Sequence, residues 1–437
     1  MSKTVSILTL GCRVNQYESD SFAETLSAAG VRIVPFGEPC DLAVVNTCSV
    51  TAESDRKSRQ MIRRAARDAG KVAVTGCFAQ ISPDAACALP NVVFVRGNGG
   101  KASLPETILS LLSDASSSPV NAVIPPEDRS AVEMTVVTPM RSRSYVKIED
   151  GCNNRCSYCI ISTARGPVRS KDPRVVLDEI RTLAKNGCRE VILTGIETAA
   201  YGLDFPEKRP YGYALADLIS EVNKIEGIER IGLGSLDPTV LTPYFLEIAA
   251  KTTKLLPHFH LSVQSGCSRI LAKMRRKYNR DMALAAIARL RAAIPDVTLS
   301  ADVIVGFPGE TEEDFLDTMA FFEETRFLHL HIFPYSRRAG TEAADLPDQV
   351  AENLKKDRLS RLETLSREIK HQLLDDYVAR HSENPVFLLV EKYENEVSGH
   401  SEHFIETAVE DTSAYHREIV PVLLSRHDGE KVYGKRA

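Results

Sequence analysis

Short apolar runs alternate with helix-like segments along most of the chain, and this alternation constrains the fold more than any other feature. Within residues 1–100, the runs VSILTLG, LAVVNTC, KVAVTGC and NVVFVRG are separated by segments such as NQYESDSFAETLSAAG and a basic stretch near 54–70. Strands that alternate with helices build a parallel sheet. The pattern therefore predicts an N-terminal parallel α/β domain over residues 1–112.

A second series of strand-like runs begins near Ser144. Its six members are SYVKIE, EVILTG, RIGLGSL, HFHLSVQ, SADVIVGF and LHLHIFPYS. Helical patterns fill the intervals, and right-handed crossovers would arrange six such units as a partial or complete (β/α) barrel. This predicts a central α/β barrel over residues 139–380, ending in a long polar helix at about 349–381.

The remaining segments differ from both series. Residues 113–138 begin with SDASSSPVNAVIPPEDRS, which is rich in Ser, Pro and charge and is typical of a linker. Residues 381–437 contain short strand-like runs without a helical pattern, which predicts a small all-β domain. A length of 437 residues suits two or three domains.

Hydropathy, charge and cysteine content limit the classes of protein to which this chain can belong. No apolar run approaches the roughly 18 residues that cross a bilayer, and the first apolar stretch is short for a signal peptide. We therefore expect no membrane association and a cytoplasmic location, where thiols stay reduced. Ten cysteines in that compartment favour metal binding or catalysis over disulfides. The net charge of −5 gives no global nucleic-acid signature, so any RNA contact has to use local basic patches.

Three cysteines, Cys152, Cys156 and Cys159, lie in the segment GCNNRCSYC directly after the run SYVKIE. Three thiolates can hold three irons of a four-iron cubane, which leaves the fourth iron open to a small chelating ligand. A zinc ribbon would need a second CxxC nearby, so zinc or a metal-free loop is the weaker alternative. The carboxyl end of a barrel strand is also where barrel active sites lie.

Cys12, Cys48 and Cys77 each follow one apolar run of the N-terminal domain. The carboxyl ends of parallel strands meet at one edge of a sheet, where open α/β sheets bind ligands. The pattern predicts a second three-cysteine site at that edge. We interpret the remaining cysteines as small buried residues: Cys40, Cys87, Cys188 and Cys267.

The segment CNNRCSYC resembles the cluster-binding loop of the radical S-adenosylmethionine (SAM) enzymes, including the aromatic Tyr158 between the last two cysteines. With a three-cysteine domain before the barrel and a β domain after it, the chain resembles the radical SAM methylthiotransferases. In that family the C-terminal domain is a TRAM domain, an RNA-binding barrel. The segment TLGCRVNQYES at 9–19 resembles the signature of the branch that acts on threonylcarbamoyladenosine in tRNA, with Arg13 where Lys is usual.

The resemblance implies SAM and two [4Fe–4S] clusters as cofactors, one on each set of three cysteines. It implies transfer of a methylthio group to carbon 2 of the hypermodified adenosine beside the anticodon. One SAM would methylate a sulfur on the N-terminal cluster, and a second SAM would yield the radical that removes hydrogen from that carbon. The implied partners are tRNA, an electron donor such as a flavodoxin or ferredoxin, and a sulfur donor.

Two alternatives of function remain at this point. One is methylthiolation of isopentenyladenosine in tRNA or of a ribosomal-protein side chain. The other, from a different class, is a non-catalytic iron–sulfur protein that binds RNA. Cleavage of SAM under reducing conditions would separate the enzymes from the non-catalytic protein.

Polar residues near the carboxyl ends of the barrel strands are the candidate SAM contacts. In LTGIE, Gly195 permits close backbone approach and Glu197 can accept a hydrogen bond from an ammonium. This resembles the GGE motif of the superfamily with Thr194 in place of its first glycine, although Glu197 would also suit a helix start. Further candidates are Ser235, Gln264 and Asp302. The turn GFPGET at 306–311 resembles the family's glycine-rich turn beside the adenine, or simply caps the next helix.

Two basic segments are candidate tRNA contacts. Helical spacing over 56–71 places four arginines on one face, opposite Ile62 and three alanines: Arg56, Arg59, Arg63 and Arg67. A second segment is KMRRKYNR at 273–280. Either could contact phosphates or simply be a solvated face. In residues 381–437 acidic residues outnumber basic ones, which weakens the case for RNA binding by that domain.

Overall fold

The N-terminal domain is built on one parallel six-stranded sheet. The computed structural model describes residues 3–114, 118–127, 129–393, 396–409 and 416–437. The strands of this domain are β1 (Thr4–Thr9), β2 (Arg32–Val34), β3 (Cys40–Thr47), β4 (Ala69–Gly76), β5 (Val92–Val95) and β6 (Val120–Asn121). All pairs are parallel, in the order β2-β1-β3-β4-β5-β6. The predicted parallel α/β domain is confirmed, with β2 as an edge strand that the sequence pattern did not indicate.

Helices cover both faces of this sheet, which explains why its strands are continuous apolar runs. They are α1 (Arg13–Ala28), α2 (Ala52–Asp68), α3 (Cys77–Ile81), α4 (Pro83–Cys87) and α5 (Leu104–Ser113). Tyr17 of α1 and Ile108 of α5 are buried in the core of one face, whereas Ile62 of α2 and Phe78 of α3 are buried in the core of the other. Helix α2 begins where the Thr51 side chain accepts from the backbone N–H of Ser54.

The segment predicted as a linker, 113–138, contains short elements of its own. Strand β6 pairs with β5 and extends the N-terminal sheet, and α6 (Ser130–Glu133) follows it. Residues 115–117 and 128 of this segment lie outside the described residues. The carbonyl of Met134 accepts a hydrogen bond from the Lys171 ammonium at 2.7 Å. The segment is therefore packed between the domains, and the exact domain boundaries stay a prediction.

The central domain contains the six predicted barrel strands in two parallel three-stranded sheets, β11-β10-β7 and β12-β13-β14, plus a separate antiparallel pair. Its strands are β7 (Ser144–Lys147), β8 (Glu149–Asp150), β9 (Arg169–Ser170), β10 (Glu190–Thr194), β11 (Arg230–Leu233), β12 (His258–Gln264), β13 (Thr298–Val305) and β14 (His329–Pro334). Parallel bridges such as Leu236 to Leu261 join the two sheets. Among the described strands β7 and β14 do not pair, so the barrel is partial.

Helices surround the barrel, and α1 of the N-terminal domain packs against β7 at its open side. The helices of this domain are α7 (Ile161–Arg165), α8 (Pro173–Lys185), α9 (Tyr213–Val222), α10 (Pro243–Lys251), α11 (Ser268–Lys273), α12 (Arg280–Ala293), α13 (Glu312–Thr325) and α14 (Glu352–Arg380). The last is the long polar helix expected at about 349–381.

The C-terminal domain is a small closed β-barrel, as the short strand-like runs predicted. Its strands are β15 (Val386–Lys392), β16 (Val397–Ser401), β17 (Glu406–Val409), β18 (Ile419–His427) and β19 (Val432–Arg436). Residues 394–395 and 410–415 lie outside the described residues. The domain contacts the amino ends of the central strands, where Arg143 pairs with Glu391 at 2.5 Å and Arg230 donates to the carbonyl of His400 at 3.3 Å. The carboxyl ends, where barrel active sites lie, face the opposite side.

Candidate active site

The N-terminal cysteines are placed by three neighbouring strands. Strands β1, β3 and β4 lie side by side, and Cys12, Cys48 and Cys77 follow their carboxyl ends. Gly11 has a φ of +97°, and a Cβ at this position would lie 2.9 Å from the Cβ of Cys48. Glycine therefore allows the turn before Cys12 to approach Cys48. The structure brings these three cysteines together, and their role as cluster ligands stays a prediction.

The three cysteines of this N-terminal site differ in exposure: Cys12 is exposed, Cys48 is half-buried and Cys77 is buried. Partial desolvation of its thiol by the surrounding protein raises the pKa of Cys12, although the Arg165 guanidinium opposes the effect. Burial raises the pKa of Cys48 to about 11, and proximity to Cys77 adds to the shift. Soft metal ions displace protons from such thiols because the thiolate is the ligand. All three cysteines are free, so the donor set fits three corners of an iron–sulfur cubane.

The second set of cysteines lies on a single loop after β8. Its backbone is fixed by hydrogen bonds from Cys152 N–H to the Gly166 carbonyl at 3.0 Å and from Cys159 N–H to the Cys156 carbonyl at 3.1 Å. Burial raises the pKa of Cys159 to about 11. The predicted loop aromatic, Tyr158, is packed edge-on against Phe307 of the GFPGET turn, with 6.4 Å between ring centroids. These thiols are also free, and the loop fits the same type of cluster.

The turn GFPGET has a clear structural role. The Thr311 hydroxyl and the Asp314 carboxylate form a capping box at the start of α13. Gly306 and Gly309 have φ values of +71° and +75°, which favour glycine. A contact of this turn with adenine stays a prediction.

Glu197 faces the loop cysteines from the end of the second barrel strand. Its carboxylate accepts hydrogen bonds from Asn154 Nδ2 at 3.3 Å and from the Tyr211 hydroxyl at 2.9 Å. Burial raises the pKa of Glu197 to about 7, and the charge of Asp237 adds to the effect. Within the described residues no cation lies within 4.0 Å of this carboxylate. A buried carboxylate without a cationic partner fits the ammonium group of SAM.

Glu149 is a neighbour of Glu197 that the sequence patterns did not single out. Its Oε2 accepts from the backbone N–H of Glu197 at 3.0 Å. A Cβ on Gly195 would lie 2.5 Å from the same oxygen, so the glycine leaves room for this buried carboxyl group. Burial raises the pKa of Glu149 well above its usual range. No local motif signals Glu149, because its partner comes from the loop after the next barrel strand.

The other predicted SAM contacts are divided between two cavities. Gln264, at the end of β12 with a left-handed φ of 67°, lines a cavity of about 270 Å³ with the loop cysteines and Glu197. Gly195 and Ser235 line a larger cavity of about 1030 Å³, which also contains Cys12 and Cys48. Asp302 lines both cavities. We call the smaller cavity the SAM pocket and the larger one the chamber.

The chamber and the SAM pocket are neighbours that share walls. Both contain Val50, Thr51, Asp302 and residues 333–336. The shared wall is held by contacts between the domains: Ala52 N–H donates to the Ser336 hydroxyl at 3.2 Å, and Arg338 donates to the Ser49 hydroxyl. Cys12 and Cys48 on one side and the loop cysteines on the other therefore open onto connected space between the N-terminal domain and the barrel.

Arg276 is a site residue that sequence reasoning assigned to the wrong environment. The segment KMRRKYNR at 273–280 was predicted as an exposed basic patch. The structure instead turns Arg276 inward, where its side chain is 5% exposed, pairs with Asp237 at 2.8 Å and lies 3.5 Å from the Cys156 sulfur. Only its neighbours, such as Lys273 and Lys277, remain exposed. The sequence pattern did not indicate this inward orientation, because Asp237, the carboxylate that pairs with Arg276, is distant in sequence.

A buried network of charges joins the two cysteine sites. Glu18 of α1 pairs with Lys101 and Lys147, and it also accepts from Arg165 at 3.0 Å. Arg165, six residues after Cys159 in the sequence, pairs in turn with Asp150 at 3.0 Å. Although burial alone would raise the pKa of Glu18, Arg165 and Lys101 hold it well below its usual range. The network ties the cysteine loop to the helix that begins after Cys12.

The helix α2 carries the predicted arginine stripe. Arg56, Arg63 and Arg67 are exposed, and Arg59 is half-buried with its guanidinium 5.8 Å from the ring centre of Phe78. The opposite face is buried through Ser58, Ile62 and Ala65. The start of α2 belongs to the chamber wall, since Thr51 to Ser54 line it. The stripe therefore runs outward from the chamber.

The four remaining cysteines are all packed, to different degrees. Cys188 and Cys267 are buried, as predicted, and donate to Ser144 and Asp314. Cys40 and Cys87 are only half-buried, which corrects the expectation of full burial. Both lie at the edge of a core rather than inside it.

Comparison with known families separates the chain into two matched regions. Residues 146–322 match the radical SAM superfamily, and residues 4–97 match a family described as uncharacterized protein family UPF0004. The first region contains the three-cysteine loop, and the second contains the N-terminal cysteines.

Full-length relatives give a more specific match. The chain is 37% identical to the threonylcarbamoyladenosine tRNA methylthiotransferase MtaB of Bacillus subtilis, covering 96% of this chain and 93% of that protein. The chain belongs to the MtaB-like branch of the radical SAM methylthiotransferases. It is also 36% identical to the tRNA-2-methylthio-N(6)-dimethylallyladenosine synthase of Nitratidesulfovibrio vulgaris (strain DP4), over 86% of this chain and 85% of that protein.

Membership of this family assigns SAM and an iron–sulfur cluster to the chain as cofactors. Among solved structures, the radical SAM methyltransferase TsrM from Kitasatospora setae, with cobalamin and a [4Fe–4S] cluster bound, is similar in fold. The TM-score is 0.55 at 16% identity, over 79% of this chain and 77% of that one. In the described part of the chain, none of the helices combines the length and apolar character needed to span a membrane.

Proposed function

We propose that this methylthiotransferase adds a methylthio group to carbon 2 of N6-threonylcarbamoyladenosine beside the anticodon of tRNA. The observation that carries the proposal is the connected space between the two sets of free cysteines. Cys12 and Cys48 face the chamber, and Cys152, Cys156 and Cys159 face the SAM pocket. A substrate base in that space would have both sites within reach, as a reaction that removes hydrogen and adds sulfur at one carbon requires.

Each set of cysteines would hold one [4Fe–4S] cluster. Cys152, Cys156 and Cys159 would hold the cluster that the family assigns, and the N-terminal cysteines would hold a second. When bound, SAM would supply the hydrogen-abstracting radical and the methyl group, and the N-terminal cluster would carry the sulfur that a sulfur donor provides. Each set provides three ligands, so one iron of each cubane stays open to a further ligand.

The chain itself positions SAM through buried polar groups. Glu197 would accept hydrogen bonds from the SAM ammonium, and Asn154 and Tyr211 hold that carboxylate in place. Gln264 and Asp302 would contact other polar atoms of SAM from the ends of their strands. Contacts between the domains at Ser49 and Ser336 hold the wall that the two cavities share, and a bound substrate would have to exclude water from this space to protect reactive species.

The partners follow from this chemistry. tRNA is the substrate, and the exposed arginines of α2 lie beside the chamber, where they can meet phosphates. The C-terminal β-barrel is at the opposite end of the central domain and is acidic, so we assign it no phosphate contacts near the chamber. Reductive cleavage of SAM requires an electron donor such as a flavodoxin or ferredoxin, and the product requires a sulfur donor. A cytoplasmic location suits all of these partners.

The experiment that tests the proposal compares two modified tRNAs. Anaerobically reconstituted enzyme is given SAM, a reductant and tRNA bearing either threonylcarbamoyladenosine or isopentenyladenosine. Nucleoside mass spectrometry should detect the methylthio product only on the first. The reverse preference would assign the enzyme to the dimethylallyladenosine reaction named for the Nitratidesulfovibrio relative. Cleavage of SAM without any methylthio nucleoside would contradict both assignments.

A further inference from the structure

The interior of the barrel below the chamber is lined by polar side chains among apolar ones such as Leu233 and Phe404, and Lys370, Glu406 and Glu430 line its far end. Along β12 the odd-numbered Phe259, Leu261 and Val263 are buried in the outer core, so His258 and His260 point inward. Their Nδ1 atoms lie 2.9 Å from the hydroxyls of Thr298 and Ser300 on β13. His329 and His331 of β14 line the same space, a cavity of about 260 Å³. We call this space the lumen.

Arg13 links the lumen to the chamber. It is the first residue of α1, directly after Cys12, and its side chain lines both cavities. His260 and His331 also line both, so the lumen continues from the chamber floor. The N-terminal domain thus places one positive charge inside the open side of the barrel.

The Arg13 guanidinium has no carboxylate partner in the described structure. Its guanidinium carbon lies 5.8 Å from the ring centre of Tyr145, and within the described residues no carboxylate lies within 4.0 Å of the guanidinium. Glu190, whose charge reaches Arg13, is already paired with Arg143 at 2.6 Å and Arg230 at 3.4 Å. A half-buried cation of this kind favours an anionic ligand, because the ligand replaces the missing hydration.

We propose that Arg13 binds the carboxylate of the threonylcarbamoyl group and that this contact selects the substrate. The inference rests on the proposed function and adds the residue that recognises the modification. The lumen would receive the rest of the group, with the His–Ser and His–Thr pairs offering hydrogen bonds to its hydroxyl and urea. Arginine suits the role because its planar guanidinium can donate two parallel hydrogen bonds to the two oxygens of a carboxylate.

The same arrangement would reject a dimethylallyl group. That group has no polar atom, so it would leave the Arg13 guanidinium without an anionic partner and would offer no hydrogen bond to the lumen histidines. Sites built to hydrogen-bond a substrate reject analogues that lack the polar group far more strongly than apolar pockets reject a misfit. The charge at position 13 therefore offers a physical basis for the choice between the two tRNA substrates named for the relatives.

The test uses cluster-loaded enzyme and anticodon stem-loop RNAs that differ by one charge. One RNA carries threonylcarbamoyladenosine, and the other carries its methyl ester, in which the carboxylate is neutral. Binding is measured by fluorescence anisotropy for the unaltered enzyme, Arg13→Gln, Arg13→Lys and the control Arg174→Gln. Arg174 is exposed at the start of α8, outside the cavities. Iron content and SAM cleavage without RNA report whether each variant is intact.

We expect the unaltered enzyme and Arg174→Gln to bind the acid about ten- to a hundredfold more tightly than the ester, as for a hydrogen bond to a charged group. Arg13→Gln should bring this ratio close to one, and Arg13→Lys should restore part of it. A ratio near one in the unaltered enzyme, or an unchanged ratio in Arg13→Gln, would overturn the inference. Product formation is read separately: normal discrimination without any methylthio product overturns the proposed function and leaves this inference standing.

Discussion

The two cysteine sites differ in how the chain brings their thiols together. Cys152, Cys156 and Cys159 occupy one loop, and local hydrogen bonds set their spacing. Cys12, Cys48 and Cys77 are spread over three strand ends, and only the order β1-β3-β4 in the sheet makes them neighbours. The loop site can therefore form from a short segment, whereas the N-terminal site requires a folded domain.

This difference also separates the chemistry that each site can support alone. The loop cysteines line the SAM pocket with Glu197 and Gln264, so binding of SAM depends on the barrel. Of the N-terminal cysteines, Cys12 and Cys48 line the chamber, and Glu53 is the one carboxylate of their own domain among the described residues that line it. We therefore expect radical formation to survive damage to the N-terminal site. Damage to the loop site should abolish it.

The largest expected effect comes from removing one set of cysteines at a time. Changing Cys152, Cys156 and Cys159 to Ala should remove about half of the iron and abolish SAM cleavage, because three thiolate ligands anchor the cubane. Changing Cys12, Cys48 and Cys77 to Ala should remove the other half and abolish the methylthio product, while SAM cleavage persists. Iron assay and chromatography of 5′-deoxyadenosine and modified nucleosides measure these outcomes.

Two controls make this comparison interpretable. Changing the packed Cys40 and Cys87 to Ala should leave iron content unchanged, since both are half-buried and distant from the strand ends that carry the N-terminal site. Circular dichroism shows whether each variant is folded. A folded variant without any iron after damage to only one set would contradict two independent sites.

The next effect concerns the charge network between the sites. Arg165→Gln leaves Glu18 and Asp150 buried with fewer partners. Breaking a buried ion pair by removing one member costs about 3–5 kcal/mol. Denaturant unfolding of the iron-free protein should show a destabilisation of that order. Lys251→Gln, which breaks the exposed pair with Glu247, should cost about 0.5 kcal/mol or less; equal destabilisation of the two variants would show that the network is not stabilising.

A smaller effect, confined to the loop site, is the pH dependence of SAM binding. Burial raises the pKa of Glu197 to about 7. The carboxylate is charged above this pH and protonated below it, so pairing with an ammonium is retained above about 7 and disappears as the pH falls. Calorimetry with cluster-loaded enzyme should show affinity falling by up to about tenfold per pH unit below that point.

The matched variant is Glu197→Gln, which keeps the shape of the side chain and removes its charge. It should bind SAM about ten- to a hundredfold more weakly above pH 7 and show no pH dependence. The N-terminal triple variant at Cys12, Cys48 and Cys77 should keep the profile of the unaltered enzyme. A Glu197→Gln variant with an unchanged profile would assign the titration to another group.

The comparison of the two sites also shows what a sequence can reveal. The loop cysteines are recognisable because their spacing is local, and the N-terminal cysteines because each follows an apolar strand. Glu149 and Arg276 gave no such signal, since the groups that hold them come from the loops that follow other strands. The sequence pattern did not indicate the edge strand β2, because short strands have weak periodicity.

The smallest expected effect concerns the helix that follows Cys48. The stripe on α2 runs outward from the chamber, but its four arginines are not equivalent. Arg56 is paired with Glu53, and Arg59 is half-buried against Phe78. Arg63 and Arg67 are exposed and have no ion pair within the described residues. We expect these two to provide most of the binding to phosphates.

Each phosphate that an arginine neutralises releases condensed counterions, so the slope of log affinity against log salt concentration should flatten by about 0.7–0.9 for every arginine–phosphate pair that is removed. Changing Arg56, Arg59, Arg63 and Arg67 to Gln should weaken tRNA binding and flatten the slope by about two or more. Arg63→Gln with Arg67→Gln should account for most of that change.

The control is the double variant Arg174→Gln with Arg181→Gln on α8. Iron content should be the same in all of these variants. If the stripe variant kept the original affinity and slope, the arginines would be a solvated face, and the exposed Lys273 and Lys277 would be the remaining basic residues to test near the loop site.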